Sequence, residues 1–404
     1  MKALKGCAPS RQRGFSLVEL LVAVAIGMMV SLAIFQVLIA SEGRKRSTTA
    51  SNDTAQGAAF VNYTLDRAIR SAGSGFVSSW NESYGCPLNV VRSGTIILPS
   101  PAPFSAPFAT ATVAPVLAPV IVDQGAGTSP ETSDMITVMS GNAGYGETAG
   151  RVMPNPGITD RLRLRNTIGY QANDLVLIGS PGGPCLMSQV TSTHSNADNG
   201  ASQELLLAGT YYSLSGASVN LSQLVTGGQF VSMLGNGGNT NRPEFTVYAV
   251  DSNLLLNSLD LLQLNGNATP QPVAEGIFRM HALYGVDTTA GATINPTTNQ
   301  PVRTVNAWVA PSGPRWGAAT LRSGSAAANA DLRSILAIRL ALIVRSPLPE
   351  TDLAHPELAE VAPDQLTLFG SVPGGLTLTI PITQRNYRYR VVETVIPVRN
   401  NLIP

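Results

Sequence analysis

Glu19 is the only charged residue in the apolar run GFSLVELLVAVAIGMMVSLAIFQVLIA, residues 14–40. A charged side chain at the centre of a membrane helix costs roughly 2.5–3.5 kcal/mol on insertion scales, and less near an end. The chemistry open to such an acid is charge pairing. A cation nearby in a low-dielectric setting offsets the desolvation penalty only when both partners are present. Three cysteines could supply thiol or disulfide chemistry: Cys7 before the run, Cys86 and Cys185 after it. The histidines His194, His281 and His355 stand apart, without metal-ligand spacing. Neither a G-x-S-x-G elbow nor a Walker loop occurs. The glycine clusters GSPGG (179–183) and GNGGNT (235–240) lack a strand-to-helix context and read as turns, the second as a hairpin turn. Asp287 is followed by TTAGATIN, with no acidic ladder, whereas calcium asks for about six to eight oxygens. No catalytic centre, cofactor or metal is expected.

The elements that position these residues begin with the apolar run. Residues 15–40 hold no proline, lysine or arginine. About 25 residues of helix reach roughly 38 Å, enough to cross a bilayer core. Lys2, Lys5, Arg11 and Arg13 precede the run with no acid among them, and hold that end in the cytoplasm by the positive-inside rule. Arg44, Lys45 and Arg46 follow it. The rest of the chain then lies outside the cytoplasm in an oxidising compartment, where Cys86–Cys185 is the one bridge available. Two unpaired buried thiols are the alternative. A cleaved secretory signal has the basic flank, but its apolar region spans about 7–15 residues. LIAS (38–41) is only a fair cleavage site, because Leu38 is not small. A plain signal anchor fits the length. Neither accounts for Glu19.

Beyond the run the helix is expected to continue. Ala58, Val61, Leu65, Ala68, Ile69 and Ala72 recur at gaps of three and four and form one helical face. Asp53 is placed to cap or start this second half, Gly73 to stop it, and fraying is expected near 41–54. The remaining chain is β-leaning. Only 13% of residues are charged, 38 are glycine and 28 proline, and the net charge of +1 gives no bulk pull toward nucleic acid. Short β-branched runs recur between turns, among them DMITVMSG, DLVLIG, EFTVYAV, IFRMHALYGV, SILAIRLALIVRS and YRYRVVETVIPVRN. The proline-rich stretch at about 98–130 reads as a loop insertion. In LRSILAIRLALIVRS (332–346), Leu336, Ile338, Leu340, Leu342 and Val344 share an apolar face that should point to the core or the helix. YRYRVV mixes arginine with aromatics, a pattern of single-stranded nucleic-acid binding; an edge strand with solvated arginines is the favoured reading.

RGFSLVELLVAV resembles the prepilin signature of type IV pilins and type II secretion pseudopilins, through Arg13, Gly14, Phe15, Ser16, Leu17, Glu19, Leu20 and Leu21. The resemblance implies that a membrane prepilin peptidase cuts after Gly14, that Phe15 is then N-methylated, and that Glu19 is retained to meet the new amine of a neighbouring subunit. A residue without a side chain at Gly14 lets the scissile bond be approached closely. Many major pilins break the membrane half with proline, and this chain does not. GIFRMHALYGVDT (276–288) is similar to the PilW family of minor pilins, as are ILAIRLALIVRS and the terminal YRYRVVETVIPVRN running into Arg399 and Asn400. An α+β pilin-like fold follows: leader 1–14, membrane or filament-core helix 15–40, amphipathic helix 41–72, and a large β-rich head 73–404. The implied function is a non-enzymatic minor pilin that initiates or caps a type IV pilus at its tip, in systems that drive twitching motility or DNA uptake. It would begin in the inner membrane and end on the cell surface. The implied partners are prepilin peptidase, other minor pilins, the major pilin, a tip adhesin, the inner-membrane assembly platform and membrane lipid. A J-type pseudopilin of type II secretion is the alternative. A membrane-anchored adhesin or DNA-binding module is a third reading, and it predicts no cleavage after Gly14.

Overall fold

The helix α1, Leu17–Ser71, is the longest element of the computed structural model. The structure describes residues 14 and 16–402, apart from 101–102, 111–114, 126–131, 144–148, 198–201, 214–218, 239–240, 267–268, 290–301 and 351–359. Phe15, Cys7 and His355 thus lie outside the described residues. Ser16 caps α1, its Oγ accepting the Glu19 N–H at 3.2 Å. The helix then runs 55 residues without interruption. Asp53 is a mid-helix residue and no second start occurs there. Through 41–54 the helix satisfies its own threonine hydroxyls and gains tertiary support. The Thr48 and Thr54 hydroxyls donate to the carbonyls of Arg44 and Ala50 at 2.9 and 2.6 Å. Ala50 and Thr54 are also buried, so docking onto the head begins about two turns earlier than the apolar periodicity suggests. Gly73 ends the helix with φ +84°, in the left-handed region that favours glycine, and its N–H passes to the Met139 carbonyl at 2.9 Å.

All six residues of the inner face, Ala58 to Ala72, are buried. They rest on a four-stranded antiparallel sheet ordered Ala307–Val309, Ile277–Val286, Ile335–Arg345, Tyr389–Pro397. Ile338, Leu340, Leu342 and Val344 point into the helix-side core, as the alternation predicts. Leu336 does not join them; Ile335 takes that place. A register shift between Gly285 and Val286, which pair with Ala337 and Ile335, skips one residue and resets the alternation. The opposite face, with Ala341 and Ile343, is covered by the hairpin of Gln365–Leu368 and Leu378–Pro381. Leu65 is fully buried at the centre of the helix–sheet contact. Leu65→Ala is expected to cost about 2–5 kcal/mol, read as a lower denaturant midpoint of the detergent-solubilised chain. A change under about 1 kcal/mol would mean that α1 docks without this side chain.

Two further bodies complete the head. A five-stranded sheet runs Gln271–Ala274, Leu256–Asp260, Glu244–Val250, Met135–Ser140, Val120–Asp123. Its last strand and the fully buried Leu117 and Phe108 come from the stretch expected to loop, which is therefore partly core. The second body is a closed barrel. Cys185–Ala197, Asp174–Gly179, Phe230–Asn236, Gly150–Met153, Arg161–Leu164 and Ser202–Leu207 pair in that order, and the last strand returns to the first. Its own apolar core holds Leu162, Leu164, Val176, Ile178, Leu205 and Val231. GSPGG turns between two barrel strands as expected. The expected hairpin at GNGGNT is corrected: Phe230–Asn236 belongs to the barrel and Glu244–Val250 to the five-stranded sheet, so the segment crosses between bodies.

Candidate functional site

Leu17–Ile39 stands clear of the head: 23 residues with mean hydropathy 2.5 and none of them buried. Sixteen large apolar side chains between Leu17 and Ile39 are exposed, from Leu17 at 76% to Ile39 at 45%. Each is worth about 1.5–3 kcal/mol on full burial. The sum exceeds the roughly 5–15 kcal/mol that stabilises a whole domain. Water is therefore the wrong solvent for this half of α1, and lipid or other apolar helices must cover it.

Glu19 lies in the first turn of this segment, exposed, where the helix dipole favours a negative charge. Gly14 has open space around it: a Cβ added there would meet no atom within 4 Å, and its φ is not left-handed. Gly14 and Glu19 sit at the free end of α1, far along the chain from the head.

Cys86 and Cys185 are joined in a disulfide with their Cα atoms 5.6 Å apart. The bridge ties the segment leaving α1 to the first barrel strand, beside the parallel pairing of Leu88 with Cys185 and Asn89 with Leu186. Gly179 is fixed by the same packing, since a Cβ there would meet a Phe230 ring carbon at 2.7 Å and the Cys185 Sγ at 2.8 Å.

At the other end of α1 the terminal Arg399-Asn400-Asn401 does the anchoring. The Asn400 amide donates to the carbonyls of Ser71 and Ala72 at 3.1 and 2.8 Å. These are among the last carbonyls of the helix, which have no partner within it. Asn401 donates to the Leu332 and Ile335 carbonyls and accepts from the Tyr84 hydroxyl at 2.8 Å. Arg333 adds a bond from Nη1 to the Asn400 carbonyl at 3.1 Å. Burial pushes the Tyr84 phenol well above its ordinary range, so it stays a neutral donor, while the nearby Arg333 charge pulls the other way. The sequence singles out Asn400 only as part of a terminal block; the structure gives its task. Asn400→Asp should cost about 1–3 kcal/mol, because it swaps the donor for a negative charge beside the carbonyls of a helix C-terminus. Asn400→Ala should cost less. A denaturant midpoint that is the same for both variants would remove the charge argument.

The remaining candidates do not converge. His281 Nδ1 lies 3.4 Å from Asp134 Oδ1, both buried between the sheets, and Asp134 also accepts the N–H groups of Gly125 and Ala282. His194 is on a barrel strand. Among the described residues no group of three or more His, Cys, Asp or Glu could hold a metal. In the YRYRVV stretch, Arg388 pairs with Glu350 at 2.5 Å, and the Arg345 guanidinium lies 4.2 Å from the Tyr387 ring centre.

A family model described as type IV pilus-assembly protein W matches residues 239–400, and the prokaryotic N-terminal methylation motif matches residues 9–35. No curated protein and no solved structure matches the chain. The first match takes in the four-stranded sheet under α1 and ends at Asn400, and the second takes in Gly14, Phe15 and Glu19. The barrel and the disulfide lie between the two. With its apolar helix uncovered and the two models matched at residues 9–35 and 239–400, the findings support a type IV pilus-related pilin, similar over residues 239–400 to type IV pilus-assembly protein W.

Proposed function

We propose that this chain is processed by prepilin peptidase after Gly14, is methylated at Phe15, and helps to initiate or cap a type IV pilus at its tip. The observation that carries this reading is the uncovered apolar half of α1, with Glu19 in its first turn, fused to a head several times larger than the helix. The leader supplies the cytoplasmic positive charge before cleavage, and the head folds outside. In the filament, other pilins cover the helix. A head of this bulk, with a barrel and two sheets, crowds a close-packed shaft and suits a tip or near-tip place. Other minor pilins, the major pilin, a tip adhesin and the assembly platform are the partners this role requires. The match at residues 239–400 favours the pilus over a secretion pseudopilus.

The test is intact mass together with N-terminal peptide mass spectrometry of the membrane-extracted protein, with and without prepilin peptidase. A start at methylated Phe15 that disappears without the peptidase is the expected result. An uncut chain, or a start near Ser41, would sink the reading.

A further inference from the structure

Tyr389–Pro397 is the outermost strand of the four-stranded sheet. Its inner side pairs with Ile335–Arg345 from Arg345 down to Ala337 without a bulge. Just beyond each end of that pairing, the Ser346 N–H donates to the Arg388 carbonyl at 2.9 Å and the Val398 N–H to the Leu336 carbonyl at 2.8 Å. Hydrogen-bonded positions alternate along an antiparallel pair. Arg390, Val392, Thr394 and Ile396 therefore turn their backbone groups inward. Val391, Glu393 and Val395 turn theirs to the open edge, where no backbone partner occurs among the described residues.

Open edges invite pairing with another chain, and proteins blunt them with short strands, proline or charge. This molecule does so at its other sheet margins. Gln271–Ala274 contains Pro272 and follows Pro270; Val120–Asp123 follows Pro119; Thr95–Leu98 precedes Pro99; Ala307–Val309 has only 3 residues. Tyr389–Pro397 has 9 residues, no lysine, and no proline before its last position. Its edge acid is already occupied, since Glu393 accepts from Arg339 at 2.8 Å and from the Phe369 N–H at 2.7 Å. Val395 is 47% exposed. The helix also runs beside this strand. Asn400 binds the end of α1 past one terminus, and Ser51 and Thr54 share a cavity wall with Arg388 and Arg390 at the other. A neighbour whose helix lies along α1 brings its own head next to this edge.

We infer that the Val391–Glu393–Val395 edge is a strand-pairing site for a neighbouring pilin-type subunit, which adds an extended strand of its own to the sheet. The inference rests on the proposed function, because filament assembly is what places a neighbour beside α1. Backbone bonds supply the affinity, and side chains flanking Val395 supply the fit.

Hydrogen–deuterium exchange of the full chain tests it, comparing detergent-extracted protein with the sheared filament fraction. The amides of Val391, Glu393 and Val395 should exchange fast in the extracted monomer and at least about tenfold more slowly in filaments. Val395→Pro removes an outward N–H and leaves the inner ladder whole, as proline on an edge strand allows. It should keep the thermal midpoint of the head while lowering incorporation about tenfold. Thr394→Pro, which breaks an inward bond, is the control that should unfold the sheet. Absence of the wild-type chain from filaments would overturn the proposed function itself. Presence there with fast amides would overturn edge pairing alone. Slow amides in the extracted monomer would mean this chain covers its own edge, and slow amides in an extracted dimer would assign the edge to a second copy; either overturns the inference.

Discussion

Glu19→Ala should leave membrane insertion and cleavage after Gly14 intact and remove most of the protein from the filament fraction. The expectation rests on a comparison of magnitudes. An isolated acid near the helix centre costs roughly 2.5–3.5 kcal/mol, less toward an end. Two opposite charges about 4 Å apart at an effective dielectric of 20 attract by about 4 kcal/mol. A subunit whose Glu19 meets the Phe15 amine of a neighbour is thus relieved, and an unpaired one is not. Alanine removes both the penalty and the relief, so insertion becomes easier while register in the assembly is lost. A local explanation competes with this one. Ser16 and Glu19 have the spacing of a capping box, in which the acid would only support the helix start. The structure shows the half made by Ser16 Oγ and the Glu19 N–H. Glutamine serves a capping box as well as glutamate does, but it carries no charge. Glu19→Gln should therefore fail like alanine if charge pairing is the function. Recovery with glutamine, or unchanged incorporation of the alanine variant in quantitative immunoblots, would rule the pairing out.

What could be read from residues alone follows from how far each signal reaches along the chain. The inner face of α1 was legible because Ala58 to Ala72 repeat at helical spacing and all are buried. DLVLIG and EFTVYAV announced strands because both faces of each are largely buried, so apolar residues run together. Gly150–Met153, Arg161–Leu164 and Gln271–Ala274 carry no such run; GRVM, RLRL and QPVA are strands only because a barrel closes or a sheet ends there. Cys185–Ala197 is long but mostly polar and stayed hidden for the same reason. The helix Ala326–Ser334 has a weak apolar period, and its signal was the cap, Ser325 Oγ accepting the Ala328 N–H at 3.2 Å. Barrel closure depends on the pairing of Ser202–Leu207 with Cys185–Ala197, which no local pattern encodes. The site divides the same way. Gly14, Phe15 and Glu19 form a contiguous motif, whereas Asn400 acts on carbonyls 329 and 328 positions earlier.

Breaking the Cys86–Cys185 bridge should cost the head about 2–5 kcal/mol of stability. The bridge closes a span of 99 residues. In the chain-entropy account a loop of that size is constrained by about 4–5 kcal/mol in the unfolded state. The enclosed residues include Val120–Asp123 and Met135–Ser140 of the five-stranded sheet and the barrel strands Gly150–Met153, Arg161–Leu164 and Asp174–Gly179. Without the bridge, the barrel holds to the segment leaving α1 through the short parallel pairing at Leu88 and Asn89 and its neighbouring contacts. The double variant Cys86→Ala with Cys185→Ala is the right probe, since a single change leaves one thiol free to form a disulfide between molecules. The loss should be uneven. The four-stranded sheet is tied to α1 by Leu65, Ile69 and Asn400, all outside the bridged span, and should keep its resistance to proteolysis. Cleavage should appear first between residues 86 and 185. Uniform proteolysis across the head would show instead that barrel and sheets unfold as one unit, and an unchanged denaturant midpoint would show that the packing of Cys185 and Phe230 around Gly179 holds the junction without the covalent bond.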